Sequence, residues 1–288
     1  MRSIPDDLDP DVVTSIDARL TGVEADHRVV IGWAVESGSR AWGFPSPDSD
    51  YDCRFLYVHP AEAYLSPWLP RDVVETPLDH VYDVNGWDVR KAVDLMVRGN
   101  ATVTEWLRSP IVYRGDPRFR DLLLDLADQV AEPALIARHY AHVGQLQWDR
   151  LGAGDPDTPV RLKGVFYCLR PAAALRWMRS HPGGAVPPMR LQALLAQSEA
   201  PAEVVEAVGE LVDVKARTRE LGDGRFPPVL RNFVVAELSS PDLAGPGERR
   251  HEVGRSRAVA AQAFRTAIGL AAGPPARDGG LGGRPADS

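Results

Sequence analysis

Cysteine is scarce: Cys53 and Cys168 are the only two in 288 residues. Each falls among apolar neighbours, one in an expected strand and one in an expected helix. That pattern reads as two buried free thiols, with no disulfide partner and no thiolate metal pair. Long hydrophobic runs are missing too. No stretch approaches the roughly 20 apolar residues that a membrane span needs. The opening segment, Met1 to Pro10, is acidic and has no apolar core, so no signal peptide is expected there. These absences together predict a reduced, cytoplasmic protein with no membrane partner. No repeat of fixed period is visible. A net charge of −7 excludes a generally basic coat for nucleic acid.

What is present is concentrated in one stretch, Gly38-Ser39-Arg40-Ala41-Trp42-Gly43-Phe44-Pro45-Ser46-Pro47-Asp48-Ser49-Asp50-Tyr51-Asp52. The apolar run Val29–Val35 leads into it and Cys53–Val58 leads out. The pattern reads as strand, Gly-Ser turn, loop, then a strand that begins with two carboxylates. Strand side chains alternate faces, so Asp50 and Asp52 point the same way. Like charges held that close call for a cation. Mg²⁺ takes oxygen ligands and often binds through one or two carboxylates plus substrate phosphates. Glycine lets backbone approach a ligand closely, and Ser39 with its neighbouring N–H groups can hold phosphate oxygens. A phosphate cradle facing a metal site suits nucleotidyl transfer. The competing reading is an ordinary turn followed by a solvated acidic loop.

In chain order, Asp9–Ala25 has the spacing of an amphipathic helix. Val73–Glu75 and His80–Asn85 read as two more strands, with Gly86-Trp87 ending the second. Asp88 then precedes a helix whose apolar face is Val89, Ala92, Val93, Met96 and Val97. Asp83 and Asp88 compete as a third site carboxylate. Strand geometry favours Asp83, while Asp88 has an adequate explanation as an N-cap. Asn100–Leu107 is expected to be helical and Ile111–Tyr113 a short closing strand. Glu105 and Arg108 are expected to pair locally. Beyond Arg114-Gly115-Asp116-Pro117 helical periodicity takes over, over 119–130, 134–151, 160–180, 191–197, 202–219 and 248–271. Pro171 should kink or split the third of these. The segment 273–288 is Gly- and Pro-rich with almost no bulky residue and is expected to be disordered.

Pro133–Pro182 carries a local excess of +4, the footprint expected for a triphosphate or a nucleic-acid end, or for a solvated helix face. Within it Lys163, Tyr167 and Arg170 share one helix face. Arg40 either meets phosphate or caps the motif loop. Trp42, lying in that loop, borders any nucleotide pocket there. The other tryptophans read as packing. His139 and His142 lack a third ligand for zinc.

The Gly38-Ser39 and Asp50-x-Asp52 pair resembles the signature of the DNA polymerase β-like nucleotidyltransferase superfamily. The longer set is Gly38 to Phe44, Asp50-Tyr51-Asp52, Asp83 to Lys91, Gly99-Asn100 and Glu105 to Tyr113. It resembles the nucleotidyltransferases of the RNA-repair-pathway polymerase-β-like family. The match is dense over the first two-fifths of the chain and weaker beyond. It implies an α+β fold. A small mixed β-sheet (palm) domain over 1–116 would carry the site on one face and helices on the other. A helical domain over 117–272 would close over the nucleotide.

The resemblance also implies an enzyme that transfers NMP from an NTP to an acceptor hydroxyl. An RNA 3′ end is the expected acceptor, a reading that the acidic net charge weakens. Asp50, Asp52 and Asp83 (or Asp88) would ligate two Mg²⁺ ions. Gly38, Ser39 and Arg40, with Lys163, Tyr167 and Arg170 from a second-domain helix, would grip the NTP. Two alternatives stand beside it. One is the same chemistry on a protein hydroxyl, as in AMP-transferring antitoxin-like modules, or on a small molecule such as an aminoglycoside. The other is a silent nucleotide-binding regulator, against which the paired carboxylates argue.

Overall fold

A computed structural model describes residues 1–77, 79, 81–219, 221–240 and 252–272. The expected disordered tail, 273–288, lies outside them. A five-stranded mixed sheet forms the base, in the order β3-β4-β2-β1-β5. Its strands are β1 Val30–Glu36, β2 Tyr51–Val58, β3 Val73–Glu75, β4 Tyr82–Asp88 and β5 Val112–Gly115. The central pair, β2 and β4, is parallel; β1 pairs antiparallel with both β2 and β5. Strand β4 runs straight through Gly86-Trp87, where the sequence suggested a break. A Cβ at Gly86 would lie 2.1 Å from the Phe55 ring, so this glycine serves close cross-strand packing.

Helix α1 (Pro10–His27) starts where Asp9 accepts the Asp11 N–H at 2.9 Å. Its apolar stripe, Val12, Val13, Ile16, Leu20 and Val23, covers one sheet face together with Phe55, Tyr57 and Tyr113. The opposite face, built on Trp33, Val35, Leu56 and Val58, is covered by α4 (Val89–Val97), α5 (Thr102–Leu107), α6 (Pro117–Val130) and α12 (Val253–Ala272). Helices therefore lie on both faces, not on one. Two helices beyond the expected division at residue 116 pack on the same face. Helix α6 buries Phe119, Leu123 and Leu126 against Trp33, and α12 lays Ala260, Ala263 and Ala267 on the same cluster. Both belong to the sheet's core, because their apolar stripes find it rather than the second bundle.

That bundle is α7 (Pro133–Leu151), α8 (Leu162–Ser180), α9 (Leu191–Gln197), α10 (Ala202–Arg217) and α11 (Pro228–Leu238). Helix α8 is its axis, apolar on nearly every side through Val165, Phe166, Cys168, Leu169 and Ala172–Leu175. Pro171 sits inside α8 without splitting it. Proline deprives the helix of one hydrogen bond, but packing on all sides holds the backbone in register. Two short elements went unanticipated: α11, and the ribbon of β6 (Val160–Arg161) with β7 (Asp223–Gly224). The remaining short helices are α2 (Gly38–Trp42), in the motif itself, and α3 (Ala61–Tyr64). Cys53 and Cys168 are both free and buried. No described helix is long and apolar enough to cross a membrane.

Candidate active site

Register builds the acidic edge. In the parallel β2/β4 ladder Asp52 stands directly opposite Asp83, so both carboxylates rise from one face at the start of their strands. Asp50 precedes them at the exposed end of the motif loop. Arg54, two residues along β2, reaches back between the pair. Its Nη2 is 2.5 Å from Asp83 Oδ2 and 3.3 Å from Asp52 Oδ1. The Asn85 amide donates to the other Asp83 oxygen. Burial pushes the Asp52 carboxyl above its ordinary pKa. Arg54 opposes that shift, Asp83 and Asp50 add to it, and the Lys163 ammonium opposes it again.

Backbone geometry holds Asp52 in place. Gly38 has φ +60°, and a Cβ there would fall 2.0 Å from Asp52 Oδ2. Only glycine both adopts this backbone and leaves room for the carboxylate. The Ser37 N–H donates to the Asp52 carbonyl at 2.8 Å, and the Asp52 N–H donates to Glu36 Oε1 at 2.9 Å. Glu36 is fully buried and takes the Tyr113 hydroxyl at 2.5 Å. Burial raises its pKa to about 7, although the two hydrogen bonds oppose the shift.

The motif loop is braced from within. Ser39 Oγ lies 3.0 Å from Ser49 Oγ, which is 2.9 Å from Ser46 Oγ and accepts the Ser46 N–H. Arg40 lies 4.0 Å above the Tyr51 ring and donates to the carbonyls of Ser49 and Asp50. In this arrangement Ser39 and Arg40 both serve the loop. Phe44 stacks on Phe166 of α8 at 4.5 Å, which fastens the loop to the bundle.

Beside the motif loop lies a largely basic cleft of about 430 Å³, whose Lys163 is close enough to Asp52 to act on its carboxyl. Ser46 and Asp48 of the motif loop line it. Its basic wall is Arg161, Lys163, Lys215 and Arg219, with Asp223, opposite Arg161 in the β6–β7 pair, as the other acid in the lining. The chain has three lysines, and two of them line this cleft. Lys215 is nearly buried, lies over the Phe44 ring and donates to the Phe44 carbonyl at 2.5 Å. Burial first, then the neighbouring Lys163, lowers its pKa to about 8.

The expected face of α8 divides. Lys163 lines the cleft. Tyr167 lies near the acids, its pKa raised by burial and then by Asp52 and Asp50. Arg170 goes elsewhere. It is 5% exposed, pairs with Glu105 at 2.9 Å and donates to the Met189 carbonyl. Glu105 therefore pairs with Arg170 and with the Tyr140 hydroxyl, not with Arg108.

Asp88 lies apart from the site. It is five residues beyond Asp83, about 17 Å along the strand at ~3.3 Å per residue, and on the opposite face. It caps α4 by accepting the Arg90 N–H at 2.6 Å, and takes the Tyr64 hydroxyl at 3.0 Å. Among the described residues no three His, Cys, Asp or Glu groups meet at metal-ligand spacing, the His139/His142 pair included.

Sequence reasoning missed Arg54, Glu36, Lys215 and Arg219. A carboxylate ending the apolar run Val29–Val35 was a readable signal for Glu36. A lone lysine within Leu211–Val214 and Ala216 was one for Lys215. Nothing local placed either beside the motif.

A mixed sheet with paired strand-edge carboxylates and a glycine turn, facing a helical bundle, defines a nucleotidyltransferase-like protein. The chain belongs to the RNA repair pathway DNA polymerase β family, whose model matches residues 12–260. That membership places it in a polymerase β-like nucleotidyltransferase family. The uncharacterized protein YcgL of Bacillus subtilis strain 168 is 36% identical over 219 residues, covering 76% of this chain and 82% of that one. A nucleotidyltransferase-like protein from Exiguobacterium sibiricum 255-15 aligns over 90% of this chain and 77% of its own, at 12% identity and a TM-score of 0.28; at that level it adds no argument.

Proposed function

We propose that the protein transfers a nucleoside monophosphate from an NTP to an acceptor hydroxyl, and that the acceptor is an RNA 3′ end undergoing repair. One observation carries the reading: the acids Asp50, Asp52 and Asp83 stand close to a basic cleft of Arg161, Lys163, Lys215 and Arg219, near enough that Lys163 acts on the Asp52 carboxyl. Acids alone bind cations and bases alone bind anions. A polyphosphate held against paired carboxylates suits phosphoryl chemistry.

The donor set suits Mg²⁺ in kind, since Asp50, Asp52 and Asp83 offer only oxygens, as a hard cation requires. Arg54 stands between Asp52 and Asp83 and would have to give way for the two to share an ion. Asp50, Asp52 and Asp83 would hold the metal, which when bound supplies charge neutralisation on the phosphates and a lowered pKa for the attacking hydroxyl. The chain supplies the rest. Lys163, Arg161 and Arg219 hold the triphosphate and the charge left on pyrophosphate. Lys215, anchored to the Phe44 carbonyl, aligns the motif loop with that wall. Gly38 keeps the Asp52 carboxylate in position. The acceptor's proton passes to a carboxylate of the acidic edge. The RNA acceptor is supported by the family's description and by the local basic charge of the cleft.

The test is pyrophosphate release from each NTP with Mg²⁺ and a pool of small RNAs bearing free 3′ hydroxyls, for wild type and Asp50→Asn/Asp52→Asn. Release by the wild type alone, with an RNA lengthened, supports the whole reading. Release that requires a protein or small-molecule hydroxyl keeps the transfer and removes the RNA. Tight NTP binding without release under any condition refutes the transfer.

A further inference from the structure

Next to the acidic edge is a second recess, of about 180 Å³, between α2, α5, α7 and α8. Its lining is rich in aromatic rings. Trp42 meets Tyr167 edge-on at 5.9 Å, and Trp106, Tyr140 and His139 line it too, together with polar groups that include Glu105, Gln147 and Arg170. Arg170 lies 4.7 Å above the Trp42 ring. Tyr167 belongs both to this recess and to the electrostatic surroundings of Asp50 and Asp52, so the two sites adjoin.

Three features select a ligand. The first is size. A cavity of about 150 Å³ takes a benzene ring, and sites for whole drug-sized ligands start near 300 Å³. The recess thus suits one ring system rather than a whole nucleotide. The second is an open donor. Trp42 Nε1 is shielded from water and has no hydrogen-bond acceptor among the described residues. A buried N–H without a partner is uncommon and asks for one. Glu105, the carboxylate in the lining, is already engaged by Tyr140 and Arg170. The third is order along α8. Lys163 lines the basic cleft and Arg170 the recess, about 10 Å apart at ~1.5 Å per residue, with Tyr167 between.

We propose that this recess receives the base of the incoming nucleotide, stacked among Trp42, Tyr167 and Trp106, with an acceptor atom of the base taking the Trp42 Nε1–H. The proposal rests on the nucleotidyl-transfer reading and extends it. Arg170 then acts as floor beneath the base, not as a triphosphate contact. Stacking accepts any base, whereas the N–H favours one that presents an acceptor at that depth.

The experiment is calorimetry on the full chain with three probes: non-hydrolysable NTP analogues, the free nucleosides and inorganic tripolyphosphate. The variants are Trp42→Phe, which removes the N–H and keeps a ring, and Gln147→Trp, which fills the recess from α7. The wild type should bind at least one analogue tighter than tripolyphosphate. Trp42→Phe should lose about tenfold of that affinity, the scale of one buried hydrogen bond, with tripolyphosphate binding unchanged. Gln147→Trp should abolish the advantage of analogue over tripolyphosphate. Equal binding of analogue and tripolyphosphate by the wild type overturns the proposal, as does an advantage that survives both variants. In either case tripolyphosphate binding leaves the nucleotide reading standing. If tripolyphosphate does not bind the wild type at all, the nucleotide reading falls and this proposal with it.

Discussion

Gly38→Ala separates the two jobs of that glycine. Its φ of +60° costs an alanine about 1–2 kcal/mol of backbone strain. Its added Cβ would also sit 2.0 Å from Asp52 Oδ2, where ordinary contact is nearer 3.4 Å. Relief therefore requires the carboxylate to move by more than 1 Å, and a displacement of ~1 Å costs on the order of 100-fold in rate when it falls on a reacting group. Gly152 is the control. Its φ is +67° and nothing lies within 4 Å of a Cβ there, so Gly152→Ala carries the strain without the collision. Urea denaturation should show both variants destabilised by about 1–2 kcal/mol with unchanged m-values. Pyrophosphate release should fall about 100-fold in Gly38→Ala and stay at the wild-type level in Gly152→Ala. Equal activity of the two variants would refute the reasoning, since it would mean that the Asp52 position set by Gly38 is irrelevant to the chemistry.

Three further outcomes follow from the same geometry. Asp88→Ala should lower stability by about 1 kcal/mol through the lost cap of α4 and leave NTP turnover intact; a turnover loss matching that of Asp52→Ala would return Asp88 to the site. Glu36 has a folded pKa of about 7 against an ordinary 4.5, so the folded state holds its proton more tightly. Its contribution is full below about pH 4.5 and is lost as pH rises through about 7, a change of roughly 3 kcal/mol for a shift of this size. The difference in urea stability between wild type and Glu36→Gln, followed from pH 4 to 8, should show that slope, and a flat difference would refute it. Lys215, with its pKa lowered to about 8, loses its charge as pH rises through that value. Tripolyphosphate affinity should fall across that range in the wild type, and Lys215→Met should remove the step.

The parts of the site that can be read from sequence are those whose partners are close in the chain. Gly38, Asp50 and Asp52 belong to one local unit of β1, α2, motif loop and β2, with Asp52 in β2 and Asp50 just before it, so closeness in the chain alone groups them. Asp83 was reachable by the same logic, since only a strand position can set a third carboxylate across from Asp52, and the parallel register does so. Asp88 shows the limit in miniature. Its local signal, an acid before an apolar-striped helix, described its cap correctly, and no local rule could say that five residues of strand separate it from the acids. Arg170 shows a different limit. Helical spacing puts it on one face with Lys163 and Tyr167, but that face meets a cleft at one end and the buried Glu105 at the other. A helix buried on nearly every side has no single functional face, so periodicity carries no information about which end of it meets substrate. The same holds for α6 and α12. Their stripes announce burial but not the surface that buries them, and a helix far along the chain returns to the sheet because the apolar surface over Trp33 is still uncovered when the bundle is complete. What the chain leaves to its tertiary structure is therefore the assembly of opposite charges. The acids come from the starts of β2 and β4 and the loop before β2, the bases from α8, α10 and a two-stranded ribbon, and contacts of the motif loop with the bundle, Phe44 on Phe166 and Lys215 to the Phe44 carbonyl among them, bring the two sets near each other.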